Sequence, residues 1–196
     1  MIEDAAVAII AGGRGTRLGG TNKALLEIEG RPLLALQLEV LRWSFREILI
    51  VASDPKPFEH LGFPVVPDLI AGRGAPGGVH AALAAARASW TFCLACDMPF
   101  PKEAAILHLA SLREGVQAVV PVRAGRPEPL FAFYAKGCAR PFAERLRDGE
   151  PSLRELIALV PSRMVSEEEL AAVDPGLSSL ENINTPDDLL RFSKRR

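Results

Sequence analysis

A chain of 196 residues fits one ordinary domain able to bury roughly 70% of its unfolded surface, and a formal net charge of −1 gives no general attraction to nucleic acid or to an anionic membrane. No apolar span reaches the roughly 18 residues of a membrane-crossing helix, and the opening MIEDAAVAII sets acids, not a basic region, before its apolar run, which argues against a secretory leader. Cys93, Cys96 and Cys138 suggest no disulfide framework, so a cytoplasmic protein is expected.

The apolar run at 7–10 reads as a buried first strand. AGGRGTRLGGTNK, residues 11–23, follows it and carries Arg14, Arg17 and Lys23 with no carboxylate among them. Glycines let backbone N–H groups approach a ligand that a Cβ would hold off, and such groups beside Arg and Lys suit polyphosphate oxygens. A phosphate-handling loop is therefore expected, with a solvated loop of incidental cations as the plainer alternative. The loop is neither a P-loop nor a dinucleotide fingerprint: counted from Gly13, both patterns meet Leu18 where a glycine is required.

Pro32 suits the first turn of a helix over 33–43, and EILIVA at 47–52 is a second strand, followed by a short third at 64–66. The Gly- and Pro-rich 71–78 precedes an alanine-rich helix reaching about residue 88. A strand over 92–96, a helix over 102–112 and a strand over 117–122 come next. LFAFY at 130–134 is a strand set against the others in direction, and helices follow near 139–147 and 152–160. Thr185 is expected to cap a last helix, with Pro186 at its first position and Asp187 and Asp188 at the positive end of the dipole. Strands alternating with helices predict an α/β fold: a Rossmann-like doubly wound, mostly parallel sheet with helices on both faces. With no linker or repeat, residues 1–196 read as a single domain.

Cys93 and Cys96 have C-x-x-C spacing but lie in a strand, where residues three apart point to opposite faces, so buried structural thiols are expected. His60, His80 and His108 lack ligand spacing. In an open α/β sheet ligands bind beyond the carboxyl ends of strands, near a switch in strand order. The first loop, Asp68 after the third strand and Asp97 after the Cys93 strand should meet there. Asp97 can hold Mg²⁺, which takes one or two protein carboxylates plus substrate phosphates; an N-cap or Asx-turn is its ordinary use. Asp68 can accept from the N1 and N2 edge of guanine or from a ribose hydroxyl, with a turn role as the alternative.

AGGRGTRLGGTNK resembles the pattern L-A-G-G-x-S-x-R-M-G-x-D-K of the nucleotidyltransferases that act on molybdenum cofactor. Gly30-Arg31-Pro32-Leu33, Asp68, Pro76-Gly77-Gly78, Cys96-Asp97-Met98-Pro99 and Asn182-Ile183-Asn184-Thr185-Pro186 recur in matching order, over nearly the full length. The resemblance is nearest to the guanylyltransferases, and implies a nucleotide-diphospho-sugar transferase-like fold and transfer of GMP from GTP to molybdopterin with release of pyrophosphate. It further implies nucleotide contacts at Ile10, Ala11, Gly12, Gly13 and Asp68, neutralisation of the triphosphate by Arg17 and Lys23, and Mg²⁺ and nucleotide held together by Asp97. Asn182 and Asn184, which share a face if extended, would lie near the pterin; turn chemistry is their alternative. The product would pass to molybdoenzymes or their insertion factors. Gly15 stands in place of the family's Ser and Asn22 in place of its Asp, and Val51 falls where some relatives place Asn. Arg126-Pro127-Glu128-Pro129-Leu130 is also in a family-like place, with prolines fixing a loop as the simpler explanation.

Two rivals remain open. A cytidylyltransferase would use CTP on the same cofactor; those relatives tend to carry A-A-G where this chain has Ala11-Gly12-Gly13, and Gly12 leaves room for a purine. A GTP-binding accessory protein without turnover would not need both Lys23 and Asp97.

Overall fold

The computed structural model describes residues 1–12, 23–185 and 188. In chain order its elements are β1 (Ala5–Ile10), the two-residue strands β2 (Glu27–Ile28) and β3 (Arg31–Pro32), α1 (Leu33–Ser44), β4 (Glu47–Val51), β5 (Val65–Val66), α2 (Gly74–Ala85) and β6 (Trp90–Ala95). Then follow α3 (Glu103–Ser111), β7 (Ala118–Arg123), β8 (Arg126–Pro127), β9 (Phe131–Ala135), α4 (Ala139–Asp148), α5 (Leu153–Ile157), β10 (Ser162–Val165) and α6 (Glu167–Ala171).

The main sheet runs β10-β7-β9-β6-β1-β4-β5, with β8 paired to β7 and a separate β2-β3 hairpin. β1 is parallel to both β4 and β6, so that Ile10 stands level with Val51 on one side and Ala95 on the other. β9 runs antiparallel between β6 and β7, as its sequence predicts. Chain order turns back at β1: the path leaves it towards β4 and β5, then returns to β6 on its other flank. That reversal is the switch point where such sheets bind ligands.

Both faces are covered, so the doubly wound expectation holds. Alternate residues of one strand point to opposite faces. Val7, Ile9, Phe92, Leu94, Phe131 and Phe133 meet α1, α3 and α6, with Phe45, Phe92 and Phe133 in mutual ring contact. Ala6, Ala8, Cys93, Ala118 and Ala132 meet α2, α4 and α5 on the other face. Small residues there let the alanine-rich α2 lie close: a Cβ on Gly78 would stand 3.1 Å from Ile10 Cγ2. Cys93 and Cys96 fall in opposite core layers as expected, and all three thiols are free and buried. Burial raises the Cys96 thiol to about 12, which leaves it un-ionised and inert.

Several boundaries differ from expectation for local reasons. α2 begins at Gly74, inside the Gly- and Pro-rich stretch, because Pro76 sits in the first turn, where no intrahelical N–H bond is lost. Pro32 precedes α1 as its cap in extended conformation, because its partner in the hairpin, Glu27, holds it in a strand. Ser152 caps α5 with Glu155 in a reciprocal capping box. β10 and α6 are additional to the predicted elements. Thr185 Oγ1 accepts from the Asp188 N–H at 3.1 Å, while Asp188 accepts from the Asn184 and Thr185 N–H groups at 2.9 Å. Pro186 and Asp187 lie outside the described residues. Among the described residues no helix is long and apolar enough to cross a membrane.

Candidate active site

Asp97 follows β6 at the switch point, and its backbone is fixed from four directions. The Cys96 N–H donates to Ile10 O at 3.2 Å and the Met98 N–H to Ala95 O at 3.2 Å. The Asp97 carbonyl accepts from the Ile183 N–H at 2.8 Å, which ties the 182–184 segment to the edge of the sheet. Gln37, fully buried on α1, donates its Nε2 to Ala95 O at 2.7 Å and to Met98 O at 2.8 Å, bracketing the aspartate. Ala95 O keeps the Met98 N–H, but a buried Met98 carbonyl left without the Gln37 donor would cost about 1–3 kcal/mol, so this amide favours one shape of the turn.

Lys23 Nζ lies 2.9 Å from Asp97 Oδ2 and 2.7 Å from Asn184 Oδ1. Three separate stretches of chain, the end of the first loop, the β6 turn and the segment before the last cap, thus meet at one cation. The Lys23 and Asp97 side chains are 22% and 20% exposed, so the pair sits in a recess open to a ligand. Ile183 anchors the third stretch by packing, fully buried, among Ile28, Leu33 and Leu36.

Asp68 lies beside this centre, on the β5 flank. With Ile10, Gly12, Val51, Ser53 and Gly78 it lines a cavity of ≈ 320 Å³. A Cβ on Gly78 would stand 3.8 Å from Asp68 Oδ1, and among the described residues a Cβ on Gly12 would meet Val51 O alone, at 3.9 Å. An alanine at position 12 would take space from the cavity without a clash with those residues. Burial raises the Asp68 carboxyl above its ordinary value. Among the described residues nothing donates a hydrogen bond to it.

The remaining expected site residues divide. The Ala11 N–H is donated to Val51 O at 2.9 Å, so sheet pairing uses the amide that the sequence offers to a nucleotide. Ile10 lines the cavity, while its carbonyl takes the Cys96 N–H. Asn184 joins the Lys23 cluster; Asn182 does not, and its Oδ1 is buried without a hydrogen-bond partner among the described residues. Gly13, Arg14 and Arg17 lie outside the described residues. Gln37 escapes the sequence reading, although a polar residue among inward-facing leucines of α1 is a readable anomaly. Glu128, noted in sequence only within a proline-fixed loop in a family-like place, has an unusual setting: burial raises its carboxyl, the Arg123 guanidinium opposes the shift, and the Asp97 carboxylate adds to it.

Among the described residues no group of three or more His, Cys, Asp or Glu could hold a metal ion unaided. One recessed carboxylate does fit Mg²⁺, a cation that keeps waters and substrate phosphates as its other ligands.

Residues 7–168 match the MobA-like NTP transferase domain family. The chain is 38% identical over 183 residues to a probable molybdenum cofactor guanylyltransferase of Pelotomaculum thermopropionicum, covering 93% of this chain and 89% of that one. The crystal structure of molybdopterin-guanine dinucleotide biosynthesis protein A from Archaeoglobus fulgidus superposes with a TM-score of 0.82 at 32% identity, covering 95% of each chain. The 2-C-methyl-D-erythritol 4-phosphate cytidylyltransferase of Thermus thermophilus shares the fold, with a TM-score of 0.66 at 20% identity over 94% of this chain and 95% of that one.

Proposed function

The chain belongs to the MobA-like NTP transferase family, and we propose that it transfers GMP from GTP to the terminal phosphate of molybdopterin, releasing pyrophosphate. The observation that carries this reading is the convergence of Lys23, Asp97 and Asn184 at the switch point, beside the cavity lined by Asp68 and Gly12. Residues 1–196 act as one catalytic unit in the cytoplasm, where reduced thiols persist; the continuous sheet and the free cysteines support this.

Guanine occupies the Asp68 cavity, its N1–H and N2 donors facing the carboxylate. Gly12 supports GTP over CTP, because the absent Cβ widens that cavity for a purine. Lys23 leaves Asp97 for the triphosphate, and Arg17 adds a second cation. Asp97 would hold Mg²⁺; when bound, the cation would orient the phosphates and offset charge on the leaving pyrophosphate. An oxygen of the molybdopterin phosphate attacks the α-phosphorus in line, a new P–O bond forms, and the bond to the β-phosphate bridging oxygen breaks. A phosphate nucleophile is already ionised, so catalysis rests on positioning and charge neutralisation. Asn184, within reach of Lys23, and Asn182 face the acceptor.

Purified protein given Mg²⁺, GTP and molybdopterin should liberate pyrophosphate, and with CTP in place of GTP it should not. Tight GTP binding without product would establish an accessory protein instead, and equal turnover with CTP would remove the role given to Gly12.

A further inference from the structure

The β5 flank of the reaction centre has an occupant in guanine, whereas the β9 flank has none. Because β9 runs against its neighbours, its first residue lies level with the carboxyl end of β6: Phe131 pairs with Leu94, and the Ala95 N–H donates to Leu130 O at 2.8 Å. Glu128, just before β9, therefore stands at the same edge as Asp97. Across the sheet order the sequence of carboxylates is Glu128, Asp97, Asp68, with the reaction centre in the middle.

Glu128 and Asp68 share a setting. Both are half-buried, both carboxyls are raised by that burial, and neither carboxylate accepts a hydrogen bond or joins an ion pair among the described residues. A carboxylate partly withdrawn from water without donors is unfavourable, yet the chain holds Glu128 there firmly. Its N–H donates to Pro121 O at 2.8 Å and its carbonyl accepts from the Phe131 N–H at 3.1 Å. Pro127 and Pro129 flank it, and the Pro129 carbonyl takes the Tyr134 hydroxyl at 2.8 Å. Arg123, the cation that acts on Glu128, turns its guanidinium to Leu180 O instead. Leu180 leads directly into the segment of Asn182, whose buried Oδ1 also waits for a donor.

We propose that Glu128 reads the pterin ring of the acceptor by accepting from the ring N–H and the neighbouring exocyclic amino group of its 2-amino-4-oxo edge. Guanine presents the same two donors, so the enzyme meets one hydrogen-bonding pattern twice, with Asp68 on one side of the centre and Glu128 on the other. This assignment rests on the reading of the chain as a molybdopterin guanylyltransferase. It gives Glu128 a specificity role and no part in bond making.

The test compares pterin with lumazine, which carries a carbonyl in place of the 2-amino group. A carboxylate accepts both donors of pterin but repels the lumazine carbonyl. With wild-type enzyme, Mg²⁺ and GTP, pterin should compete with molybdopterin at least roughly tenfold better than lumazine. Glu128→Gln offers one acceptor and one donor, which matches lumazine; this variant should reverse the preference and raise the KM for molybdopterin, with the KM for GTP unchanged. Equal inhibition by the two compounds in the wild type, or an unaltered acceptor KM in Glu128→Gln, would overturn the assignment. Should Glu128→Gln not fold, the wild-type comparison alone decides. A wild type that releases no pyrophosphate would sink the transferase reading; direct binding of pterin against lumazine, followed by pterin fluorescence, would then still decide the role of Glu128.

Discussion

Replacing Lys23 with methionine separates two jobs that one amine performs. Without substrate, Nζ sits 2.9 Å from Asp97 Oδ2 and occupies the charge that a cation would otherwise neutralise. At about 3 Å and an effective dielectric near 20, the bare attraction is about 6 kcal/mol. Solvent reaches a fifth of each side chain, and desolvation and screening reduce such pairs to a net value of about 1 kcal/mol. A cation binding Asp97 must displace the amine, so Lys23→Met should tighten metal binding to the nucleotide-free protein by roughly fivefold. Turnover should move the opposite way, falling roughly a hundredfold or more, because the triphosphate loses a preorganised cation. Mn²⁺ titration followed by electron paramagnetic resonance measures the first effect, and pyrophosphate release with GTP and molybdopterin the second. Unchanged or weaker Mn²⁺ binding by Lys23→Met would refute competition between amine and metal at Asp97.

Asp97→Ala should abolish Mn²⁺ binding and lower turnover by roughly a thousandfold, while far-ultraviolet circular dichroism stays that of the wild type; retained activity would remove Asp97 from the metal role. A pH dependence of stability should trace to His80, buried on α2, whose imidazole is lowered below 6.5 first by burial and then by Arg147. The unfolded chain then binds the extra proton first, so stability is full above the ordinary value and falls as pH drops through it. Urea midpoints at about pH 8 and about pH 5 should show a loss of at most about 1.4 kcal/mol per pH unit from this group, absent in His80→Gln. The same slope in the variant would assign it elsewhere.

The architecture was legible because its signals are local. Apolar runs such as 47–51 mark strands buried on both faces, and the alanines of the helix before residue 88 foretell a closely seated α2. The opposite orientation of Cys93 and Cys96 follows from spacing alone, and β9 is antiparallel as expected. β10 was not legible: Arg163 and Met164 are exposed on it, and only its register with β7, Arg163 level with Val119, makes it a strand. α6 spans five residues, and its Ser166 cap was a readable cue passed over. In the site, the positions of Asp68 after β5 and Asp97 after β6, and the meeting of Lys23 with Asp97, were legible. Gln37 was readable as an anomaly on the leucine face of α1, but its task was not, because the carbonyls it bridges lie far along the chain. The preemption of the Ala11 amide by Val51 likewise depends on β4 arriving alongside, which no spacing within the loop reveals.

The hydrogen bond from Ile183 to the Asp97 carbonyl has a consequence for biosynthesis of the enzyme itself. The sheet that carries Asp97 is complete once β10 is made, but Asn184 and the brace on Asp97 come from a stretch translated afterwards. The brace on Asp97 is therefore the last of its supports to leave the ribosome, after every strand of the sheet it steadies.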